Sequence, residues 1–150
     1  MDAVSDDRGQ ALVLAVLALG IAAATIVGLR AAQDRILTDA RERRAGEAAV
    51  EAAGAALADA ELAFRATLRD EGGRPRSMPS RAELDAFIAD PIVVERVRAA
   101  ADQLSAANGS GTVTDLAIHA VGARTGTIEI ALELGSHRQR ASIDSRCCRP

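Results

Sequence analysis

The feature that most constrains this 150-residue chain is a run of 20 uncharged residues near its start, Gln10 to Leu29, QALVLAVLALGIAAATIVGL. A helix of this length rises about 30 Å, which matches the hydrocarbon core of a bilayer. Charged residues border the run on both sides: Asp6, Asp7 and Arg8 before it, and Arg30, Asp34 and Arg35 after it. We predict a single transmembrane helix over residues 10–29, with lipid as its first partner and residues 1–9 as a short polar tail.

A cleaved secretory signal sequence is an alternative for this run, because Ala22-Ala23-Ala24 resembles a cleavage site. The opening MDAVSDDRG is acidic where a signal sequence is basic, and the run exceeds the usual apolar length of about 7–15 residues. A buried core helix fits less well. The chain contains 34 Ala, and Phe64 and Phe87 are its only aromatic residues, so few large side chains could cover such a helix.

The arginines around the run bear on its orientation. Arg8 precedes it, whereas five arginines follow it closely: Arg30, Arg35, Arg41, Arg43 and Arg44. Because Arg near a span end favours the cytoplasmic side, charge alone places the later part of the chain in the cytoplasm.

Small residues recur at every fourth position in and just after the run: Gly20, Ala24, Gly28 and Ala32. Such a stripe lets two helices approach closely in lipid. An alanine-rich chain also produces such stripes by composition, so both interpretations stay open at this point.

Residues 30–70 are predicted to continue the same helix, because they are rich in Ala, Arg and Glu and lack proline. Charges of both signs dominate residues 34–47, which indicates a solvated stalk. Beyond them the apolar side chains fall at spacings of three or four and form one stripe: Val50, Ala53, Leu57, Ala60, Phe64 and Leu68. This stripe requires a covering partner.

The remainder, residues 81–150, is predicted to form a helical and small β-sheet domain after a loop at residues 71–80. Ser80 and Glu83 are spaced as a capping box, and Asp90-Pro91 is a typical helix start, so two short helices follow, the second ending at Asn108-Gly109. Alternating apolar residues then predict three strands, marked by Ile118, Ile130 and Ile143. We predict an α+β fold: a long helix, two short helices, and a three-stranded antiparallel meander packed on the Val50–Leu68 stripe.

Several function classes are disfavoured by composition. The net charge is −3 and all 18 basic residues are Arg, with no clustered basic face and no aromatic platform, so no nucleic-acid partner is expected. The sequence has no nucleophile motif, phosphate-binding glycine loop or metal signature. We therefore expect no enzyme activity, catalytic residue, cofactor or metal, and we interpret His119 and His137 as structural.

Cys147 and Cys148 are adjacent, and a disulfide between neighbours is strained. The two alternatives are free thiols near the chain end, or a disulfide from this pair to another chain in an oxidising compartment.

The segment DRGQALVLAVLALG, residues 7–20, resembles the start of TadE/TadG-like proteins of the tight-adherence (Flp, type IVc) pilus system. The stretch AGEAAVEAAGAALADA, residues 45–60, is similar to the Ala-rich segment that follows the span in those families. The resemblance covers about residues 7–60. It differs at Leu14, where many processed pilins carry Glu, and it lacks the Asp-Gly pair that usually follows the span.

This resemblance implies a pilin-like fold and a minor pilin or pilus-assembly component of the bacterial inner membrane, single-pass, with its body outside the cytoplasm or in a surface fibre. Its partners would be other pilin-like subunits or pilus-assembly proteins. A prepilin peptidase would cut between Gly9 and Gln10. The alternative, which the arginines favour, is a single-span membrane adaptor with a cytoplasmic protein-binding domain.

Overall fold

The computed structural model describes residues 7–76, 78–121 and 126–144. Three helices precede three strands: α1 (Asp7–Thr67), α2 (Arg81–Ile88), α3 (Pro91–Ala107), β1 (Asp115–Val121), β2 (Thr127–Leu134) and β3 (His137–Asp144). The chain divides into two compact units, the first ending at Asp39 and the second beginning at Ala40. The predicted fold class is confirmed: a long apolar N-terminal helix, two short helices, and a three-stranded antiparallel sheet packed on the long helix.

In the second unit, α1 buries the stripe that its sequence predicts. Val50, Ala53, Leu57, Ala60 and Leu68 are buried, and Phe64 is partly buried against them. The buried face begins earlier than predicted, because Ala45 and Ala49 are also fully covered. The helix ends at Thr67, slightly before the predicted end near residue 70, and Leu68 packs from the first residue beyond it.

The two short helices begin as predicted. The Ser80 hydroxyl accepts a hydrogen bond from the Glu83 backbone N–H at 3.3 Å, and the Ser80 backbone N–H donates to Glu83 Oε2 at 2.7 Å, which completes the capping box. Asp90 caps α3 by accepting from the Ile92 backbone N–H at 2.9 Å. These bonds satisfy N–H groups that have no partner within the helices.

Glu83 also receives a hydrogen bond from the Arg76 side chain. The Ser80 backbone N–H is the largest influence on its carboxylate, followed by the Ser80 hydroxyl and then the Arg76 guanidinium, and together they hold the pKa of Glu83 below its ordinary value. The folded start of α2 therefore favours the ionised form of Glu83.

The strands form one sheet in the order β1-β2-β3, with both pairs antiparallel. Ile118 lies opposite Ile130, and Ile130 lies opposite Ala141. The apolar side chains of β2 are fully buried: Ile128, Ile130, Leu132 and Leu134. Their neighbours on β1 and β3 are partly buried against the same core, as the alternation in the sequence predicts.

Two contacts fix the direction of β3 against the part of α1 that lies in the second unit. His137 Nε2 lies 3.9 Å from Glu42 Oε2, and a Cβ added at Gly46 would lie 3.1 Å from Gln139 Cγ. The step from residue 137 to residue 139 along β3 covers about 6.6 Å. The step from residue 42 to residue 46 along α1 covers about 6 Å, so the two steps match in length. The strand β3 therefore runs along α1 in the same direction as the helix.

The other edge of the sheet is held by the short helices. The Arg81 guanidinium on α2 donates to the Ala120 carbonyl of β1 at 3.0 Å. Asp102 on α3 accepts from the Val113 backbone N–H at 2.7 Å, just before β1 begins. Phe64 and Phe87 stack with ring centroids 4.8 Å apart, which ties α1 to α2.

Candidate functional site

The most distinctive surface of the molecule is the apolar segment of α1 in residues 10–29. Every residue in it is exposed, and large side chains such as Leu12, Leu19 and Val27 are 67%, 73% and 68% exposed. An 18-residue window within α1 has a mean hydropathy of 2.7 and is 0% buried. A soluble monomer rarely exposes a contiguous apolar patch of more than a few hundred Å². This segment therefore has the length and composition of a membrane span or of a signal sequence.

The one hydroxyl in this segment is already hydrogen-bonded within the helix. Thr25 Oγ1 donates to the Ile21 carbonyl at 2.8 Å, one turn earlier. Transferring an unpaired hydroxyl into hydrocarbon costs several kcal/mol, roughly 4–8 on an alkane scale. Because Thr25 has a partner on its own helix, it does not oppose burial of the segment in lipid.

The predicted helix-packing positions lie on the exposed surface of α1. An added Cβ at Gly20 or at Gly28 would meet nothing within 4 Å, and Ala24 and Ala32 are also exposed. The structure thus leaves the stripe open, and its role in contact between helices stays a prediction.

The predicted processing position lies in the first turn of α1, since the helix begins at Asp7 and contains both Gly9 and Gln10. Cleavage there stays a prediction. Cys147 and Cys148 lie outside the described residues.

The arginines that follow the apolar segment point to solvent. All five are exposed: Arg30, Arg35, Arg41, Arg43 and Arg44. They alternate with acids along α1, and the Thr38 hydroxyl among them donates to the Asp34 carbonyl at 2.9 Å. Residues 34–39 are exposed, as the composition predicts, but the predicted stalk ends before Glu47, because Ala45 and Gly46 are buried where β3 packs on the helix.

The sheet carries a second polar surface on the side away from α1, which we call the outer face. It consists of the side chains that alternate with the buried ones: Asp115, Ala117, His119 and Val121 on β1, Thr127, Glu129, Ala131 and Glu133 on β2, and Arg138, Arg140, Ser142 and Asp144 on β3. Arg138 pairs with Glu133 at 2.6 Å, and Arg140 lies 3.6 Å from Glu129. A shallow depression of about 180 Å³ lies over the two alanines.

The two histidines lie on opposite faces of the sheet. His119 is exposed on the outer face, directly opposite Glu129, while His137 is half-buried on the inner face beside Glu42. Among the described residues, no three His, Cys, Asp or Glu side chains are grouped so that they could hold a metal ion.

Sequence reasoning missed the outer face as a surface of its own. The alternation of β2 and β3 showed that one side of each strand is polar, but the arrangement of charges depends on which residues lie opposite each other. That register brings Arg138 beside Glu133 and Ala131 beside Ala117.

Comparison of this chain with protein-family models, with curated proteins and with solved structures gives no match. The architecture itself is pilin-like: a long apolar N-terminal helix with a C-terminal antiparallel sheet packed against it.

Proposed function

We propose that this protein is a membrane-anchored, pilin-like subunit or assembly component of a bacterial tight-adherence-type pilus or a related secretion apparatus. One observation carries the proposal. A single helix, α1, exposes an apolar segment of bilayer length in the first unit and is covered by an antiparallel sheet in the second. The resemblance of residues 7–60 to TadE/TadG-like proteins supports the same conclusion.

In the mechanism we propose, subunits assemble without making a covalent bond. Processing would only hydrolyse the peptide bond between Gly9 and Gln10. The apolar segment is first held in the bilayer, where its exposed Leu, Val and Ile side chains contact lipid. It then leaves the bilayer by packing against identical segments of other subunits. The exposed stripe at Gly20 and Gly28 would allow such helices to approach closely, because these residues have no side chain and no described atom lies within 4 Å of a Cβ added there.

The single-span adaptor remains a second candidate, because the five exposed arginines after the span favour a cytoplasmic second unit. The two functions predict opposite locations for that unit. In the pilus proposal it lies outside the cytoplasm, and in the adaptor proposal it lies inside.

Thiol labelling of the full-length protein in its own membrane distinguishes them. An impermeant maleimide is applied to spheroplasts and to lysed cells, with a Cys147→Ser/Cys148→Ser variant as the unlabelled control. Labelling in intact spheroplasts supports the pilus proposal. Labelling only after lysis overturns it and supports the adaptor.

The intact mass of the same protein shows where its mature N-terminus lies. A mature N-terminus at Gln10 supports processing as a pilin, and an intact start in a membrane-bound protein supports an uncut assembly component. An N-terminus near Thr25 in a soluble product contradicts both, since the anchor would then be a cleaved signal sequence.

A further inference from the structure

We infer that the outer face of the sheet is a contact surface between two copies of this chain, in which the acidic side of one copy meets the basic side of the other. The inference rests on the proposed function, because anchoring in one membrane or fibre is what brings the two copies together. It deepens that proposal by naming a second copy as the partner of a specific surface.

The charges of the outer face are segregated by strand, except for Asp144 at the end of β3. The other acidic side chains lie on β1 and β2: Asp115, Glu129 and Glu133. The basic side chains lie on the edge strand β3: Arg138 and Arg140. The face therefore has an acidic side and a basic side, separated by the width of one or two strands, about 5–10 Å.

The outer face also has room for an incoming side chain. Ala117 and Ala131 lie directly opposite each other and form the floor of the 180 Å³ depression. The carboxylates of Asp115, Glu129 and Glu133 lie around this floor, and the chain's own Arg138 and Arg140 line it from the β3 side. A guanidinium placed over this floor would have carboxylates on two sides.

Arg140 is placed to supply that guanidinium to a second copy. Its side chain is 62% exposed, and it lies 3.6 Å from Glu129, beyond the usual length of a hydrogen bond. Reorienting it toward a neighbouring copy therefore loses little within its own chain, because an exposed ion pair contributes about 0–1 kcal/mol.

Two-fold symmetry allows the acidic side of one copy to meet the basic side of the other. A two-fold axis parallel to the strands keeps β3 of the two copies running in the same direction and exchanges the two sides of the sheet, so that β3 of one copy faces β1 and β2 of the other.

The size of the face sets the strength of the contact. Three strands of seven or eight residues cover about 14 Å by 25 Å, or about 350 Å² per copy, which is less than half of the ~800 Å² per partner in a stable complex. We therefore expect no dimer in dilute solution. Anchoring in a membrane or a fibre raises the effective concentration enough to populate such a weak contact.

Cross-linking in membranes tests the contact. The full-length chain carries Cys147→Ser and Cys148→Ser, and a single Ala131→Cys is added at the floor of the depression. The control is Glu51→Cys, which lies on the exposed side of α1 in the same unit. A short bis-maleimide is expected to link copies through position 131 several times more efficiently than through position 51. Equal yields at the two positions overturn the inference.

Charge reversal gives the decisive readout. Arg138→Glu/Arg140→Glu makes the face wholly acidic, and Glu129→Arg/Glu133→Arg makes it mainly basic. Each double substitution alone is expected to lower the yield of cross-linking through position 131 by about fivefold or more. Mixing the two reversed variants is expected to restore the yield, and this restoration would also show that both variants fold.

Unchanged cross-linking in both reversed variants, or no restoration in the mixture, overturns the inference. Detergent extraction of the same membranes distinguishes a failure of this inference from a failure of the proposed function. Anchored protein without position-specific cross-linking contradicts the contact and leaves the anchor intact, whereas protein absent from the membrane contradicts the anchor.

Discussion

The two halves of α1 differ in how their apolar residues are arranged and in what surrounds them. In residues 10–29, Leu, Val, Ile and Ala occur on every side of the helix, and all of them are exposed. In the half that begins at Ala40, the bulky apolar residues other than Leu62 follow one stripe, which the sheet and the short helices cover. A stripe can be satisfied by one packing partner, but a helix that is apolar all round needs an apolar medium or several partners.

This comparison also shows what the chain supplies for itself. The second half brings its own covering residues, such as Ile128 and Leu84, on later elements of the same chain. The first half has no such cover among the described residues. In the proposed anchor, lipid supplies the apolar surroundings of this half.

The largest effect is expected from truncating a buried leucine of the second half. Leu57 is fully buried in the core, so Leu57→Ala should lower the free energy of unfolding of the second unit by about 2–5 kcal/mol. Leu62, one to two turns along the same helix, is 67% exposed. Leu62→Ala should therefore change the free energy of unfolding by less than about 0.5 kcal/mol. Urea unfolding in detergent measures both. Similar losses in the two variants would contradict the one-sided packing of this half.

A charge placed on each half sharpens the comparison further. Leu19 lies near the middle of the apolar segment, and Leu19→Arg should weaken membrane insertion by about 2.5–3.5 kcal/mol, or roughly a hundredfold in partitioning. Leu62→Arg is the matched control, since Leu62 is about as exposed as Leu19 but lies in the second unit. Fractionation into membrane and soluble protein measures the effect. Retention of both variants in the membrane would show that lipid does not surround residue 19.

Two glycines of α1 test the close approach of β3. Gly54 has open space around it, so Gly54→Ala should stabilise the helix by about 1 kcal/mol. Gly46→Ala should gain less, because its Cβ would lie 3.1 Å from Gln139 Cγ. Thermal unfolding of the two variants gives the comparison. An equal gain at both positions would argue against contact between Gly46 and β3.

The smallest effect is expected at the start of α2. Ser80→Ala removes the N-cap and should cost about 1 kcal/mol. The pKa of Glu83 is lowered in the folded state, so its stabilising contribution is present above its unfolded pKa and is lost as the pH falls through the lower, folded value.

The stability difference between the wild-type chain and a Glu83→Gln variant should therefore shrink as the solution is acidified below about pH 4.5. The midpoints of urea unfolding of both chains, measured from neutral to acidic pH, report this difference. A difference that stays constant over this range would show that the Glu83 carboxylate is not held by Ser80 and Arg76.

Local chemistry explains why so much of the fold could be predicted. Ser80, Glu83 and Asp90 act within one turn of the chain, and the alternation around Ile130 depends on strand geometry alone. Ala45 and Ala49 were missed because alanine occurs on every face of α1, so its burial depends on what packs there. Gly46 was visible in the sequence as a weak helix former, but its role follows from contact with Gln139, which is far away in the chain.

Of the two candidate functional surfaces, the sequence predicts one and not the other. The exposure of residues 10–29 could be predicted, because a run without charges has no counterpart large enough to cover it. The outer face could not, because its acidic and basic sides exist only once the register places Glu133 beside Arg138 and Ala131 beside Ala117. The stripe of Gly20 and Gly28 can be recognised in the sequence and is exposed in the structure, and its role in contact between helices stays a prediction.

The contacts of β3 with Glu42 and Gly46 have a mechanical consequence. Because this strand runs along the helix, tension applied through α1 would reach the sheet parallel to its strands. The hydrogen bonds between β2 and β3 lie across that direction, so they would share the force together instead of opening one after another. A subunit pulled by its helix would thus resist in shear, the loading geometry in which a small sheet is hardest to tear apart.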